Sequence, residues 1–333
     1  MGGDDYPEQN LNGAKLAVES LPIKVILVGN KTLLEQHIKK IKNWPSKKIS
    51  IHHAEDVVTM EDSPSKSFRL KKDSSIQVGL KLVKENNGDA FVSAGNTGAI
   101  LAASTFILGR CEGIERPTLA SIFPSEKKHF VMLDMGSNVD CKASHLAQFA
   151  IMGSLFAKSI LEVSNPKVGL LNIGEEKDKG NALTQQTYEL LSNSNLNFIG
   201  NVEGKDLPKG NVDIVVCDGF TGNIVLKFAE GLVSMFKNLL KDESKKSPLT
   251  LLALMLLKPA FKKHKKKFDK DEYGGAPLLG VNGIAIISHG SSSQNAIKNA
   301  IKTAFSLSKN NLIENISNNI KNSKKTEPIK QPK

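Results

Sequence analysis

The segment Asp218-Gly219-Phe220-Thr221-Gly222-Asn223 places a carboxylate, two glycines, a hydroxyl and a carboxamide side by side. It follows the apolar run Val212 to Cys217, which reads as a buried strand, and precedes Ile224 to Phe236, whose apolar residues recur at helical spacing. A helix that starts at the carboxyl end of a parallel strand presents free N–H groups to an anion. The chemistry on offer is the holding of an anionic group or of a developing oxyanion.

The same placement recurs along the chain. Gly95-Asn96-Thr97-Gly98 follows the strand signal Ala90 to Ala94. Its glycines permit close backbone approach, and Asn96 and Thr97 supply either neutral donors to a ligand or a helix cap. Glu175 to Asn181 is a charged loop in which Glu176 to Asp178 read as a solvated run. Lys179 stands directly before Gly180 and a helix from Asn181 to Leu191, where a lysine could hold phosphate as a point charge. His289 follows the strand Ile284 to Ser288 and precedes Gly290 and three serines, and is either a pocket residue or a structural one. Asp134, Asn138 and Asp140 surround one strand end. With no third acidic ligand at a recognisable spacing, bracing of the loop is the expectation and a metal is not. Gly2-Gly3-Asp4 is a turn before a helix signal from Gly13 to Ser20. There is no Gly-x-Ser-x-Gly elbow, no Gly-x-Gly-x-x-Gly after a strand and no Walker-type loop.

The elements that must position these residues alternate. Strands are predicted at 23–29, 90–94, 131–135, 168–173, 197–202, 212–217 and 284–288, with helices at 33–41, 74–85 and 145–161 among them. Such alternation predicts an α/β fold with a mainly parallel sheet covered on both faces.

Composition permits a large core: 333 residues, 40% hydrophobic and 24% charged. Cys111, Cys141 and Cys217 show no metal-ligand or redox spacing, and no apolar run approaches the roughly 20 residues that span a bilayer. With no signal peptide visible, a cytoplasmic protein is the expectation. The formal charge of +11 reflects either a lysine-rich composition or an acidic partner or surface. Between Lys245 and Lys270 an apolar run, Leu249 to Leu257, is followed by Pro259 and then Lys262, Lys263, Lys265, Lys266 and Lys267. Lys321 to Lys333 reads as a disordered basic tail, leaving 1–320 as the folded unit.

Taken in order, these motifs resemble those of the bacterial phosphate acyltransferase family. They are Met-Gly-Gly-Asp at 1–4, Ser-Ala-Gly-Asn-Thr-Gly-Ala at 93–99, Arg116-Pro117, Leu-Asp-Met-Gly-Ser-Asn at 133–138, Leu-Leu-Asn-Ile-Gly-Glu-Glu at 170–176, Lys-Gly-Asn at 179–181, Asp-Gly-Phe-Thr-Gly-Asn at 218–223, Tyr-Gly-Gly-Ala-Pro-Leu-Leu-Gly-Val-Asn-Gly at 273–283 and His-Gly-Ser-Ser at 289–292. Each motif is weak alone; their joint order is specific and covers nearly the whole chain. The resemblance implies a three-layer α/β/α sandwich similar to the isocitrate and isopropylmalate dehydrogenases, and a homodimer. It implies transfer of a long-chain acyl group from acyl-acyl-carrier protein to inorganic phosphate. The acyl phosphate then feeds the membrane glycerol-3-phosphate acyltransferase of phospholipid synthesis. No cofactor and no nucleic-acid partner are expected.

The residues suit such a reaction. Phosphate is largely dianionic near neutral pH and already nucleophilic. A leaving thiol of pKa roughly 8.5 needs only modest help. What remains is positioning and oxyanion stabilisation. On positions matching the family's motifs, Lys179 is expected to hold phosphate and Asn223 to bind phosphate or the thioester oxygen. Gly95, Asn96, Thr97, Asn138, Asn181, Asp218, Thr221, Gly222 and His289 are expected to line the site. Acidic acyl carrier protein accounts for the basic surplus, and 245–270 matches a helical hairpin that lies on an anionic membrane or against the dimer partner. Members of the family start with an apolar strand before Asp-Ala-Met-Gly-Gly-Asp. Here Met1 falls on the internal methionine, so that strand is missing, and the expectation is a start assigned too late. Three alternatives stay open: a phosphate acetyltransferase-like enzyme using acyl-coenzyme A, a dehydrogenase of the isocitrate type, and a non-catalytic scaffold that binds carrier protein.

Overall fold

The computed structural model of the chain describes residues 2–247, 249–257, 259, 270–272 and 274–326. The chain begins with α1 (Glu8–Ser20), β1 (Val25–Gly29), α2 (Lys31–Ile38), β2 (Ile49–His53), α3 (Pro64–Leu70), α4 (Ser75–Lys84), β3 (Ala90–Ser93) and α5 (Thr97–Ile107). It continues with β4 (Thr118–Leu119), β5 (Ser121–Phe123), β6 (Phe130–Leu133), α6 (Ala143–Ile160), β7 (Val168–Asn172), α7 (Ala182–Ser192), β8 (Phe198–Glu203), β9 (Ile214–Val216) and α8 (Gly219–Lys246). A helical stretch, 249–257, follows. The chain closes with β10 (Ala276–Leu279), β11 (Ile284–Ile287), α9 (Gln294–Lys309) and α10 (Leu312–Thr326).

The strands form sheets ordered β1-β2, β3-β11-β10-β4 and β5-β6-β9-β7-β8. Most neighbouring pairs are parallel; β10 with β11, β10 with β4, and β5 with β6 are antiparallel. The expected sandwich follows from which way successive residues point, because side chains alternate faces along a strand. Val131 and Leu133 of β6, Ile214 and Val216 of β9, and Ile284 and Ile286 of β11 enter one core with Phe149 and Phe156 of α6 and Ala300 and Ala304 of α9. The intervening Phe130, Met132, Val215, Ala285 and Ile287 enter the opposite core with Leu80 of α4 and Ile100 and Ala103 of α5. Both faces of both larger sheets are therefore covered. The chain crosses between them at Ala120, since β4 pairs with β10 in one sheet and β5 with β6 in the other.

Some expected boundaries move. The helix expected at 224–236 extends from Gly219 to Lys246, and the first helix begins at Glu8. Residues 321–326 of the expected tail belong to α10. The lysine cluster at 262–267 and Tyr273 lie outside the described residues. Among the described residues, β1 pairs only with β2 and β3 only with β11, although α4 packs against both β1 and β3; each of the two strands keeps an unpaired edge. No described helix is long and apolar enough to cross a membrane.

Candidate functional site

Asp134, at the end of β6, has no exposed surface. A carboxylate removed from water needs donors. Asp134 Oδ1 accepts from the Leu119 and Ser137 N–H groups (3.1 and 3.2 Å) and from the Ser137 hydroxyl (2.6 Å). Its Oδ2 accepts from the Asn138 N–H (2.6 Å) and the Asn138 carboxamide (2.8 Å). Because Leu119 belongs to β4, this one carboxylate ties the loop after β6 to the strand that enters the second sheet. The bracing role expected around Asp134 and Asn138 is what the geometry displays. Asp140 stays exposed and outside the network.

The first turn of α8 lies on that loop. The Gly219 N–H donates to the Asn138 carbonyl at 2.8 Å. Asp218 caps the helix, its two oxygens accepting from the Thr221 N–H and hydroxyl, both at 2.8 Å. A Cβ on Gly222 would strike the Asp134 carbonyl oxygen and sit 3.1 Å from Cys217 Sγ. Gly136, at φ +121°, passes beneath Asn223; a Cβ there would meet Asn223 Cβ at 3.4 Å. The sequence places Gly136 in the turn after this strand but gives it no role in the site; the close approach to Asn223 supplies one. Asn223 is thus seated by close backbone packing, yet its carboxamide is exposed and has no partner among the described residues.

β7 neighbours β9 in parallel, so the Lys179 loop opens beside Asp218. Asn172 donates to the Lys179 carbonyl (3.1 Å), Asn201 to the Glu176 carbonyl (2.8 Å) and Gln185 to the Asp178 carbonyl (2.7 Å). The loop is pinned on three sides, and the stem of Lys179 crosses Gly174, where a Cβ would lie 3.0 Å from Lys179 Cγ. Lys179 Nζ is exposed and unpaired among the described residues. Asn181 caps α7 through its Oδ1, which accepts from the Thr184 N–H at 3.0 Å. This cap carries no charge, and the Ala182 and Leu183 N–H groups remain open for an anion.

The remaining candidates gather at the ends of β3 and β11. Asn96 accepts from the Ala99 N–H (3.0 Å) and donates to the carbonyls of Thr59, Met60 and Asp62 (3.2, 3.2 and 3.0 Å). Its carboxamide is fully used as cap and brace, as is the Asn138 amide, which also reaches the Pro117 carbonyl at 2.7 Å. Gly95 is buried, and Thr97 is exposed at the start of α5. The His289 Nδ1 takes the Ser291 N–H at 3.1 Å, leaving Nε2 exposed. The Asp4 N–H donates to the Gly290 carbonyl at 3.0 Å, so the N-terminal turn belongs to this group. Among the described residues no hydrogen bond or ion pair joins this group to Lys179 or Asn223.

Burial sets the state of the nearby titratable groups. The Cys141 thiol is pushed up to about 11 by burial, with Asp134 adding to it, and burial also raises Cys217 well above the ordinary thiol value. His145 is held below the usual histidine value by burial, which outweighs the neighbouring Glu115. Its Nε2 lies 3.2 Å from Glu115 and its Nδ1 accepts from the Lys142 N–H at 3.2 Å, so the neutral ring is the one the site accommodates. No three His, Cys, Asp or Glu side chains among the described residues are grouped to hold a metal.

Residues 1–315 match the family described as "Fatty acid synthesis protein". Over 298 residues the chain is 49% identical to the phosphate acyltransferase of Alkaliphilus oremlandii, covering 90% of this chain and 89% of that protein. It is also 49% identical over 301 residues to that of Halothermothrix orenii, covering 90% of each. In fold it is similar to a phosphotransacetylase from Streptococcus pyogenes (TM-score 0.63, 19% identity, 93% of this chain and 92% of that one). The EutD phosphotransacetylase from Staphylococcus aureus is similar too (TM-score 0.60, 15% identity, 90% and 91%). The chain therefore belongs to this fatty-acid-synthesis family, the one that holds the phosphate acyltransferases, and is an enzyme of the acyltransferase class.

Proposed function

We propose that the protein transfers a long-chain acyl group from acyl-acyl-carrier protein to inorganic phosphate. The carrying observation is that Lys179 Nζ and the Asn223 carboxamide have no partner among the described residues and stand at the ends of neighbouring parallel strands, β7 and β9. Phosphate takes the uncharged-cap end of α7 beside Lys179, whereas the first turn of α8 is already occupied by the Asp218 carboxylate. Asn223 faces the thioester oxygen and donates to it as negative charge develops. The phosphate oxygen attacks the thioester carbon, the C–S bond breaks, and the thiolate leaves on the carrier. Phosphate needs no general base, which agrees with a site built of donors. On this reading Gly95, Thr97 and His289 contact the acyl donor, and Asn96, Asn138, Asp218, Thr221 and Gly222 act by holding the loops.

Lys179→Ala and Asn223→Ala test this reading. Each should lower kcat about 10²–10³-fold in a folded protein, the usual cost of losing an oxyanion donor. Near-normal turnover in both would refute it. Acyl-carrier protein and acyl-coenzyme A supplied at equal concentration separate the carrier-dependent reaction from an acetyltransferase-like one; the +11 charge favours the acidic carrier. We further propose a homodimer and a peripheral membrane contact that hands product to the membrane glycerol-3-phosphate acyltransferase. Exposed Phe228, Leu232, Phe236 and Leu239 on α8, with Leu252 and Leu256 beyond it, support that contact. Wild-type protein should float with anionic liposomes and a Leu252→Asp/Leu256→Asp variant should not; wild type that stays at the bottom of the gradient contradicts the contact.

A further inference from the structure

Arginine is rare here. The chain holds 45 lysines and arginines, and only Arg69, Arg110 and Arg116 are arginine. A chain that otherwise uses lysine for cationic positions keeps arginine where the planar five-donor fork matters. Arg110 is engaged, its guanidinium donating to the Glu115 carbonyl. Arg116 is exposed and has no hydrogen-bond or ion-pair partner among the described residues.

Its position is fixed by what surrounds it. Pro117 accepts from the Asn138 carboxamide at 2.7 Å, and Leu119 donates to Asp134 and Ser137, both at 3.1 Å, so residues 117–119 are fastened to the loop that seats α8 and Asn223. The neighbouring Glu115 is occupied: its carboxylate meets His145 Nε2 at 3.2 Å and the Ser144 hydroxyl at 3.1 Å. Arg116 lies within electrostatic reach of both His145 and Cys141, and Cys141 in turn feels Asp134 and Asp218. The nearby carboxylates of Asp134, Asp218 and Glu115 each accept from other donors, and none of them pairs with Arg116. A guanidinium that none of these carboxylates engages is available to an incoming anion.

We propose that Arg116 is a substrate-binding residue whose guanidinium takes a phosphate group, either the inorganic phosphate acceptor or the phosphodiester of the carrier's phosphopantetheine arm. The proposal rests on the reading of the site as a phosphate acyltransferase site. Arg116→Ala and Arg116→Lys should be compared with wild type for the KM of phosphate, of acyl-acyl-carrier protein, of acyl-phosphopantetheine and of an acyl-pantetheine lacking phosphate. Loss of charge-assisted hydrogen bonds should raise one KM of Arg116→Ala roughly tenfold or more, with the melting temperature unchanged and only partial recovery in Arg116→Lys. A rise confined to phosphate assigns the acceptor. A rise for the carrier substrate that is matched by a rise for acyl-phosphopantetheine, but not for acyl-pantetheine, assigns the donor's phosphodiester; a rise for the carrier substrate alone comes from its acidic surface and counts against the proposal. Both KM values within twofold of wild type would overturn the proposal. Should wild type show no turnover, the function reading fails and Arg116 is judged separately by calorimetric titration with inorganic phosphate and with phosphopantetheine. Binding that is lost in Arg116→Ala sustains the assignment, and binding that is absent or unchanged removes it.

Discussion

Gly222→Ala separates packing from helix propensity, because the two act in opposite directions. In an exposed helix this substitution stabilises by about 0.5–1 kcal/mol. Here the new Cβ would strike the Asp134 carbonyl oxygen and stand 3.0 Å from its carbon. Carbon contacts settle near 3.5–4.0 Å, so the first turn of α8 must retreat by about 0.5–1 Å or more. The obstacle is backbone whose side chain is held by five hydrogen bonds, so it has little room to yield. Overpacking costs about 1–3 kcal/mol; set against the propensity gain this leaves a net loss of about 1 kcal/mol, or a fall in Tm of about 2–4 °C. Asn223 moves with the turn, and a misplacement of about 1 Å costs about 10²-fold in rate. The assay pairs thermal melting with acyl phosphate formation. Gly231→Ala is the control on the same helix: nothing lies within 4 Å of its Cβ, so it should melt slightly higher and keep full activity. Gly222→Ala with wild-type Tm and turnover would refute the idea that this close approach positions Asn223.

Burial holds His145 below the ordinary value of 6.5, so the unfolded chain takes up the proton first as pH falls. Stability should be full above about 6.5 and decline below it; His145→Gln should flatten that limb of a melting curve series, and an identical slope in the variant would count against the assignment. With its thiol pushed up to about 11, Cys141 should alkylate slowly at pH 8 in the folded protein and rapidly after denaturation. Equal rates would show that burial does not protect it. Docking of an acidic carrier on a chain of charge +11 should weaken as the Debye length falls from ~30 Å at 0.01 M to ~8 Å at 0.15 M salt. A KM for carrier substrate independent of salt would exclude steering.

The strands that carry the site were readable because both their faces are buried. Residues 168–171 and Ile214–Val216 run without polar interruption, and a strand buried on both sides reads as a continuous apolar run. Their loops were readable as glycines and caps at strand ends. Other strands gave weaker signals. Ile49–His53 carries two histidines on a largely exposed stretch, Thr118–Leu119 and Ser121–Phe123 are too short to show a period, and Pro277 argues against a strand at β10. The candidate carboxamides could not be ranked from sequence. Asn96, Asn138 and Asn223 all follow or precede glycine-rich turns, but the first two spend their donors on backbone carbonyls tens of residues away in the chain or across the loop. That distinction depends on long-range geometry, as does the approach of Gly222 to Asp134.

The central claim is phosphate-dependent acyl transfer. To test it directly, purified protein is incubated with palmitoyl-acyl-carrier protein, with and without inorganic phosphate; the lipid product is extracted away from the carrier-borne thioester and only then treated with hydroxylamine. Palmitoyl hydroxamate and free carrier thiol are expected in equal amounts, only when phosphate is present, and at a rate about 10²–10³-fold lower from Lys179→Ala. Carrier thiol released at the same rate without phosphate, or no product from folded protein under any donor, would contradict it.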